Sequence, residues 1–258
     1  MAIQLNDRDH LIFKLVDEHQ VLLEKHISWF ISGDDKPVLI RDRLRKLFYL
    51  DYLLCHRHAT KLPWWTTPTK PLVYMLAPLA RTTSGLKEEP TVDLFDSDVQ
   101  RHLLEVANLR MMHLIGVKEC EIADFTWTTC KTTDATAKHL DATVSFKVGG
   151  KTHNVGILNH PEAPETVAAN VEKATKNGCD AVFIVSRDDA HQAELQTLIA
   201  KTSVAGKCFF ATHHELYKNG IVKTAWQAAD QSTAQIFTSG VVDATVFTPA
   251  PSFTPIAI

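Results

Sequence analysis

The spacing of apolar side chains predicts three helices in the first 80 residues. Apolar positions recur at helical intervals from Asn6 to about His19, again over residues 23–31, and from Pro37 to about Phe48. Asn6 is a suitable N-cap and Pro37 suits a first helical turn. Two strand-like runs follow, at residues 52–56 and 72–76. Three helices followed by a hairpin are typical of a winged helix-turn-helix, predicted here for residues 1–80.

Basic residues collect on the outer side of the third predicted helix. Its apolar stripe consists of Ile40, Leu44, Leu47 and Phe48, which leaves Arg41, Arg45 and Lys46 facing outward and Arg43 at the margin. Residues 36–70 carry eight Lys or Arg and two Asp or Glu, between acidic flanks, although the whole chain has a net charge of −3. This island indicates a double-stranded DNA contact surface. A solvated helix face or an acidic protein partner would produce the same charge run.

The predicted hairpin carries further cations. Arg57, His58 and Lys61 would contact the DNA backbone and orient the domain. Trp64 and Trp65 stand beside Pro63, a setting in which paired aromatics more often anchor a loop to its own domain than stack on bases.

After a predicted linker over residues 81–95, the pattern changes to strands alternating with helices. A long helix is expected from residue 97 or 98 to about residue 115. Strands are predicted at residues 120–127, 142–148, 153–158, 181–186 and 207–211, and helices at 164–176 and 188–201. This indicates an α/β or α+β domain with a mixed sheet over residues 96–218. Residues 219–258 form a low-charge extension.

Short motifs in both halves resemble the replication-relaxation family of plasmid and mobile-element proteins. The N-terminal half contains "LNDRDHLIFKLV", "RDRLRKLFYLDYLL" and "VYMLAPLA", and the second half contains "QRHLLEVANLRMMHLIG" and "LDATVSF". The resemblance covers roughly residues 5–200. It implies a winged helix joined to a domain with a restriction-endonuclease-like fold.

The second half departs from what nuclease chemistry requires. A nuclease of that fold uses an acid on one core strand, and an acid followed by x-Lys on the next, to hold Mg²⁺ and activate water. Asp141 would be the first acid, but the following strand reads "HNVGILN" and supplies neither partner. We therefore expect a vestigial nuclease site of Asp141, His153 and Glu162, with no catalysis, metal or cofactor. The alternative is a Mg²⁺-dependent nuclease in which Glu162 or Glu165 provides a displaced second carboxylate.

Other function classes lack support in the sequence. The glycine motifs of nucleotide-binding loops and the serine hydrolase elbow do not occur. The five cysteines include no C-x-x-C pair, and His56 and His58 lack further ligands at a recognisable zinc spacing. His213 and His214 begin a predicted helix after a strand, where a capping or surface role is expected.

The sequence therefore predicts a non-catalytic DNA-binding accessory or regulatory protein of a mobile element, acting in plasmid replication, conjugative DNA processing or transcription. A homodimer is one possibility, because one winged helix reads a short site and two half-sites multiply specificity. The second domain would bind a protein partner, a second DNA segment or its own copy. No apolar run is long enough to span a bilayer and the N-terminus is unlike a secretory signal, which favours the cytoplasm.

Overall fold

The protein is mixed α/β and consists of two compact units that divide after Leu114, within a long helix. The computed structural model describes residues 4–33, 37–86, 90, 92–119, 123–130, 139–148, 151–161, 164–234, 237–238 and 241–242. These residues form eight α-helices, a three-stranded antiparallel sheet, a seven-stranded mixed sheet and a two-stranded ribbon. We describe each unit by itself.

The N-terminal unit contains the three helices and the hairpin that the sequence predicts. Its elements are α1 (Asp7–His19), β1 (Leu22–Leu23), α2 (Glu24–Ser32), α3 (Pro37–Tyr49), β2 (Leu53–Arg57), β3 (Leu72–Leu76), α4 (Pro78–Ser84) and the first part of α5 (Ser97–Glu119). The strands pair antiparallel in the order β1-β3-β2. The pattern of apolar residues does not predict β1 or α4, and the predicted linker, residues 81–95, begins inside α4.

Helix α1 begins where the sequence predicts. The side-chain oxygen of Asn6 accepts a hydrogen bond from the Asp9 backbone N–H at 3.1 Å, and the Asp9 carboxylate accepts one from the Asn6 N–H at 2.8 Å. This reciprocal capping box satisfies two donors that the first helical turn would leave without partners.

The apolar stripe of α3 is confirmed except at its last position. Ile40, Leu44 and Leu47 are buried in the core with residues of α1, but the Phe48 side chain is 39% exposed. Helix α3 ends one residue later and the chain reverses through Asp51, whose φ is +58°. Tyr52 consequently takes the inward position and stacks on Phe13, with ring centroids 5.6 Å apart.

The second unit is built around the mixed sheet. Its elements are β4 (Ala123–Thr129), β5 (Ala142–Val148), β6 (Lys151–Asn159), α6 (Pro164–Lys176), β7 (Ala181–Ser186), α7 (Asp189–Ile199), β8 (Cys208–Thr212), α8 (His213–Lys223), β9 (Trp226–Ala228), β10 (Thr233–Ala234), β11 (Phe237–Thr238) and β12 (Val241–Val242). The sheet order is β10-β9-β8-β7-β6-β5-β4. Residues 219–234 of the predicted extension thus complete α8 and add two strands, while residues 120–122 of the first predicted strand and 243–258 of the extension lie outside the described residues.

The three central strands β6, β7 and β8 are parallel, so their carboxyl ends meet at one edge of the sheet. The crossover helices α6 and α7 pack on one face through Val167, Val171 and Leu195, which contact the core around Val182 and Ile184. Asn159, Ser186 and Thr212 are the last residues of the three strands. This edge of an open sheet is where α/β proteins place their ligands.

None of the helices described here is both long enough and apolar enough to cross a membrane.

Candidate functional site

The basic residues of α3 differ in what they contact. Arg43 is held by Asp9: its Nε donates to Oδ1 at 2.6 Å, and its Nη2 donates to Oδ2. The Asp9 side chain is fully buried and that of Arg43 is 21% exposed. Burial raises the pKa of Asp9, but the hydrogen bonds from Arg43 and from the Asn6 backbone outweigh it and the pKa lies below its ordinary value. Arg43 lies at the margin of the exposed face, as predicted, and there it neutralises a buried carboxylate.

Arg41 is exposed but paired. Its Nε lies 3.1 Å from both carboxylate oxygens of Glu24 on α2, and its Nη2 lies 2.8 Å from Oε1. The guanidinium side chain is 54% exposed. The Glu24 side chain is 16% exposed, so the pair lies at the surface with its cation in contact with solvent.

Arg45 and Lys46 are both exposed, and neither forms an ion pair with any residue that the structure describes. Tyr49, one helical turn after Arg45, has a side chain that is 73% exposed. The C-terminal half of α3 therefore presents two available cations and an aromatic ring.

The side chains of the hairpin that are predicted to contact DNA differ in exposure. Arg57 is exposed and its Nη1 donates to the Lys70 carbonyl at 2.9 Å; Lys61 is also exposed. His58 is fully buried, because its backbone N–H bonds to the Pro71 carbonyl and its Nδ1 lies 2.9 Å from the Thr60 carbonyl oxygen. His58 closes the loop and cannot reach DNA as predicted.

Trp64 and Trp65 pack against the core of the N-terminal unit. Both contact the apolar cluster that contains Leu62 and Val73, and the Trp65 indole N–H donates to the Thr69 carbonyl at 2.6 Å. This geometry favours the anchoring interpretation over base stacking.

The structure does not bring the residues of the predicted vestigial nuclease site together. Asp141 is buried, and its Oδ2 accepts a hydrogen bond from the Asn159 backbone N–H at 2.7 Å. His153 lies towards the other end of β6. Four residues of extended strand, about 13 Å, separate it from Ile157, whose carbonyl accepts the Asp141 N–H. Glu162 lies outside the described residues.

A polar cluster that the sequence analysis did not predict lies at the carboxyl edge of the parallel strands. The rings of His160 and His213 stack with centroids 4.5 Å apart and planes 16° apart. His213 Nε2 lies 2.6 Å from the side-chain oxygen of Asn159. The ring centroid of His191 lies 6.5 Å from that of His160 with the planes 17° apart, and the Tyr217 ring centroid lies 5.0 Å from that of His213.

The sequence carried one signal for this cluster. Asn159-His160 and Thr212-His213 each place a histidine directly after the polar last residue of an apolar strand. Recognising them as neighbours requires knowing that β6 and β8 flank β7 in the same direction.

No protein-family model matches this chain, and no curated protein matches it.

Proposed function

We propose that the chain binds double-stranded DNA through the N-terminal unit, with α3 as the recognition helix of a winged helix-turn-helix and the β2–β3 hairpin as its wing. The observation that carries the proposal is the pair of exposed cations, Arg45 and Lys46, on the third helix directly before the hairpin. That position is where winged-helix proteins present side chains to the major groove.

The dimensions of α3 suit this role. Its 13 residues extend about 20 Å, and a major groove about 12 Å wide admits one α-helix. The apolar stripe of Ile40, Leu44 and Leu47 holds α3 on the core by one face, which leaves the opposite face for the duplex.

We propose a different role for each cation, supported by the contacts that it makes. Arg45 and Lys46 would contact DNA directly, and Arg41 would do so by exchanging Glu24 for a phosphate. Arg57 and Lys61 on the hairpin would bind the backbone. Arg43 and His58 are removed from the contact set because they are held inside the N-terminal unit.

We propose that the second unit does not cleave DNA. Strands β5 and β6 contain no Asp or Glu, and Asp141, just before β5, accepts a backbone hydrogen bond. A Mg²⁺ ion binds through several hard oxygens, and neither of these strands supplies a carboxylate of its own. The resemblance to replication-relaxation proteins extends the proposal to an accessory or regulatory role on a mobile element. In that role the chain would act together with a second copy of itself or with a protein partner.

Salt-titrated fluorescence anisotropy with a labelled duplex tests the DNA-binding proposal. The double variant Arg45→Ala/Lys46→Ala removes two phosphate or base contacts. We expect at least a tenfold loss of affinity, and a decrease of about 2 in the slope of log K against log salt concentration.

The matched control is Lys201→Ala/Lys218→Ala, which removes two exposed cations from the second unit. Its affinity and salt slope should equal those of the wild type. Equal losses in both double variants would mean that α3 makes no specific contribution, and Mg²⁺-supported cleavage that Asp141→Ala abolishes would overturn the non-catalytic assignment.

A further inference from the structure

Two imidazole rings, those of His160 and His213, lie together at the carboxyl edge of the parallel strands in the second unit. His160 follows β6 and His213 follows β8, so the parallel strands bring them to one edge although 53 positions separate them in the chain. His213 is 6% exposed and His160 is partly exposed, so the pair reaches the surface on the His160 side.

The hydrogen bond to Asn159 fixes the tautomer of His213. The amide oxygen of Asn159 can only accept, so His213 Nε2 carries the proton and donates across 2.6 Å. In the neutral ring, the lone pair then lies on Nδ1. A second hydrogen bond from the Asn159 backbone N–H to Asp141 holds Asn159 itself in place. Oxygen acceptors that orient a histidine through its other nitrogen are the usual support of metal-binding imidazoles.

His160 occupies an uncommon backbone conformation. Its φ is +45°, in the left-handed region that non-glycine residues seldom adopt, and its N–H donates to the Val185 carbonyl at 2.8 Å. Such a conformation is found more often at binding sites than elsewhere. Here it places the His160 ring against the His213 ring.

We propose that His160 and His213 bind a divalent ion of the zinc, nickel and copper class, with water in the remaining positions. A ligand nitrogen of each ring lies within 4.8 Å of one on the other. Two nitrogens on one tetrahedral ion, each at about 2.0–2.1 Å from it, are roughly 3.4 Å apart. Because the lone pairs lie in the ring planes and the rings stack 16° from parallel, the two side chains must turn towards each other to bind one ion. Imidazole nitrogen favours these borderline ions over Mg²⁺ and Ca²⁺.

His191 is not assigned as a third ligand. Its Nδ1 accepts a hydrogen bond from the Arg187 backbone N–H at 3.3 Å, which places the ring proton on Nε2. His191 packs beside His160 and stabilises its orientation. The proposed metal site shares no residue with α3, so the test of metal binding is separate from the test of DNA binding.

Isothermal titration of the full chain with Zn²⁺ tests the proposal. We expect one saturable site per chain in the wild type, and at least a tenfold weaker site in His160→Ala. His160 is partly exposed, so this variant should fold. His213→Ala should have the same effect, and Asn159→Ala should weaken binding less, because it removes only the orienting acceptor.

His214→Ala is the control, since His214 is the exposed neighbour of His213 on α8. It should bind Zn²⁺ as the wild type does. In ¹⁵N spectra of the imidazoles, Zn²⁺ should shift the Nδ1 resonance of His213. The Nε2 resonance should keep the chemical shift of a protonated nitrogen. Equal Zn²⁺ affinity in wild type, His160→Ala and His213→Ala would overturn the proposal, as would a titration without a saturable site.

Discussion

Arg43 and Arg45 stand two positions apart on α3, and their neighbours decide what each contributes. Arg43 reaches the buried carboxylate of Asp9, whereas Arg45 forms no ion pair within the described part of the chain. Removing one partner of a buried pair leaves an uncompensated charge, but removing an exposed cation leaves only solvent. The two residues should therefore respond oppositely in stability and in DNA binding.

We predict that Arg43→Ala lowers the free energy of unfolding by about 3 kcal/mol, because Asp9 then remains buried without its cation. Arg45→Ala should change it by less than about 0.5 kcal/mol. Urea denaturation followed by circular dichroism at pH 7 measures both. If the two variants were equally stable, Arg43 would not be compensating Asp9.

At the scale of elements, the sequence predicted best where local chemistry acts alone. The start of α1 follows from Asn6 and Asp9, and β3, β5, β7 and α6 have the predicted bounds. The sequence did not predict short elements that form only by pairing with another strand. Strand β1 has two residues and forms because β3 offers it a free edge, which no local pattern reveals.

The start of α7 provides a test of capping. The Asp188 carboxylate accepts a hydrogen bond from the His191 backbone N–H at 2.8 Å, and its side chain is exposed, so capping is separable from packing. Asp188→Ala should cost about 1 kcal/mol of unfolding free energy. Asp189→Ala, at the next exposed position, loses only its interaction with the helix dipole and should cost less than about 0.5 kcal/mol. Thermal denaturation compares the two, and equal losses would show that Asp188 does not cap the helix.

Gly156 on β6 provides a test of packing between strand and core. A Cβ at this position would lie 2.9 Å from a terminal carbon of Leu140 and 3.4 Å from one of Val182. Gly156→Val should destabilise the second unit by about 2–3 kcal/mol, and Gly156→Ala by less, since the end of the Leu140 side chain can rotate.

The control for Gly156 is Gly206→Ala, because a Cβ there meets open space. Chemical denaturation with a probe in the second unit, such as Trp226 fluorescence, measures the difference. A stability of Gly156→Val equal to that of the wild type would show that β6 does not pack against Leu140 as described.

At the scale of the whole molecule, buried histidines should make the N-terminal unit sensitive to acid. Burial lowers the pKa of His26 to about 3 and that of His113 to about 4, and burial beside Arg110 lowers that of His19 well below its ordinary value. Arg110 donates to His19 Nε2 at 2.8 Å, which requires a neutral ring. The folded unit thus keeps these rings uncharged.

The sign of the pH dependence follows from these lowered pKa values. The stability that the neutral rings contribute is fully present above pH 6.5 and is lost as the pH falls, because the unfolded chain takes up protons first. We expect up to about 2 kcal/mol of loss per histidine between pH 7 and pH 5. Urea titrations across this range measure it. His26→Leu should make the dependence shallower, exposed His214→Ala should leave it unchanged, and a flat profile would contradict the expectation.

The sequence by itself determined the order of the elements apart from β1, α4 and the strands after α8, the apolar stripe of α3 up to Leu47, and the concentration of cations around it. These properties follow from the periodicity of side chains and from local charge, which act over a few residues. Arg45 and Lys46 could therefore be predicted as surface cations from the sequence alone.

Only the tertiary structure decided which polar residues meet. It paired Arg43 with Asp9, buried His58, separated His153 from Asp141 along β6, and brought His160 and His213 together. The physical reason is that strand register and direction fix these distances, and both are set by packing between residues far apart in the chain.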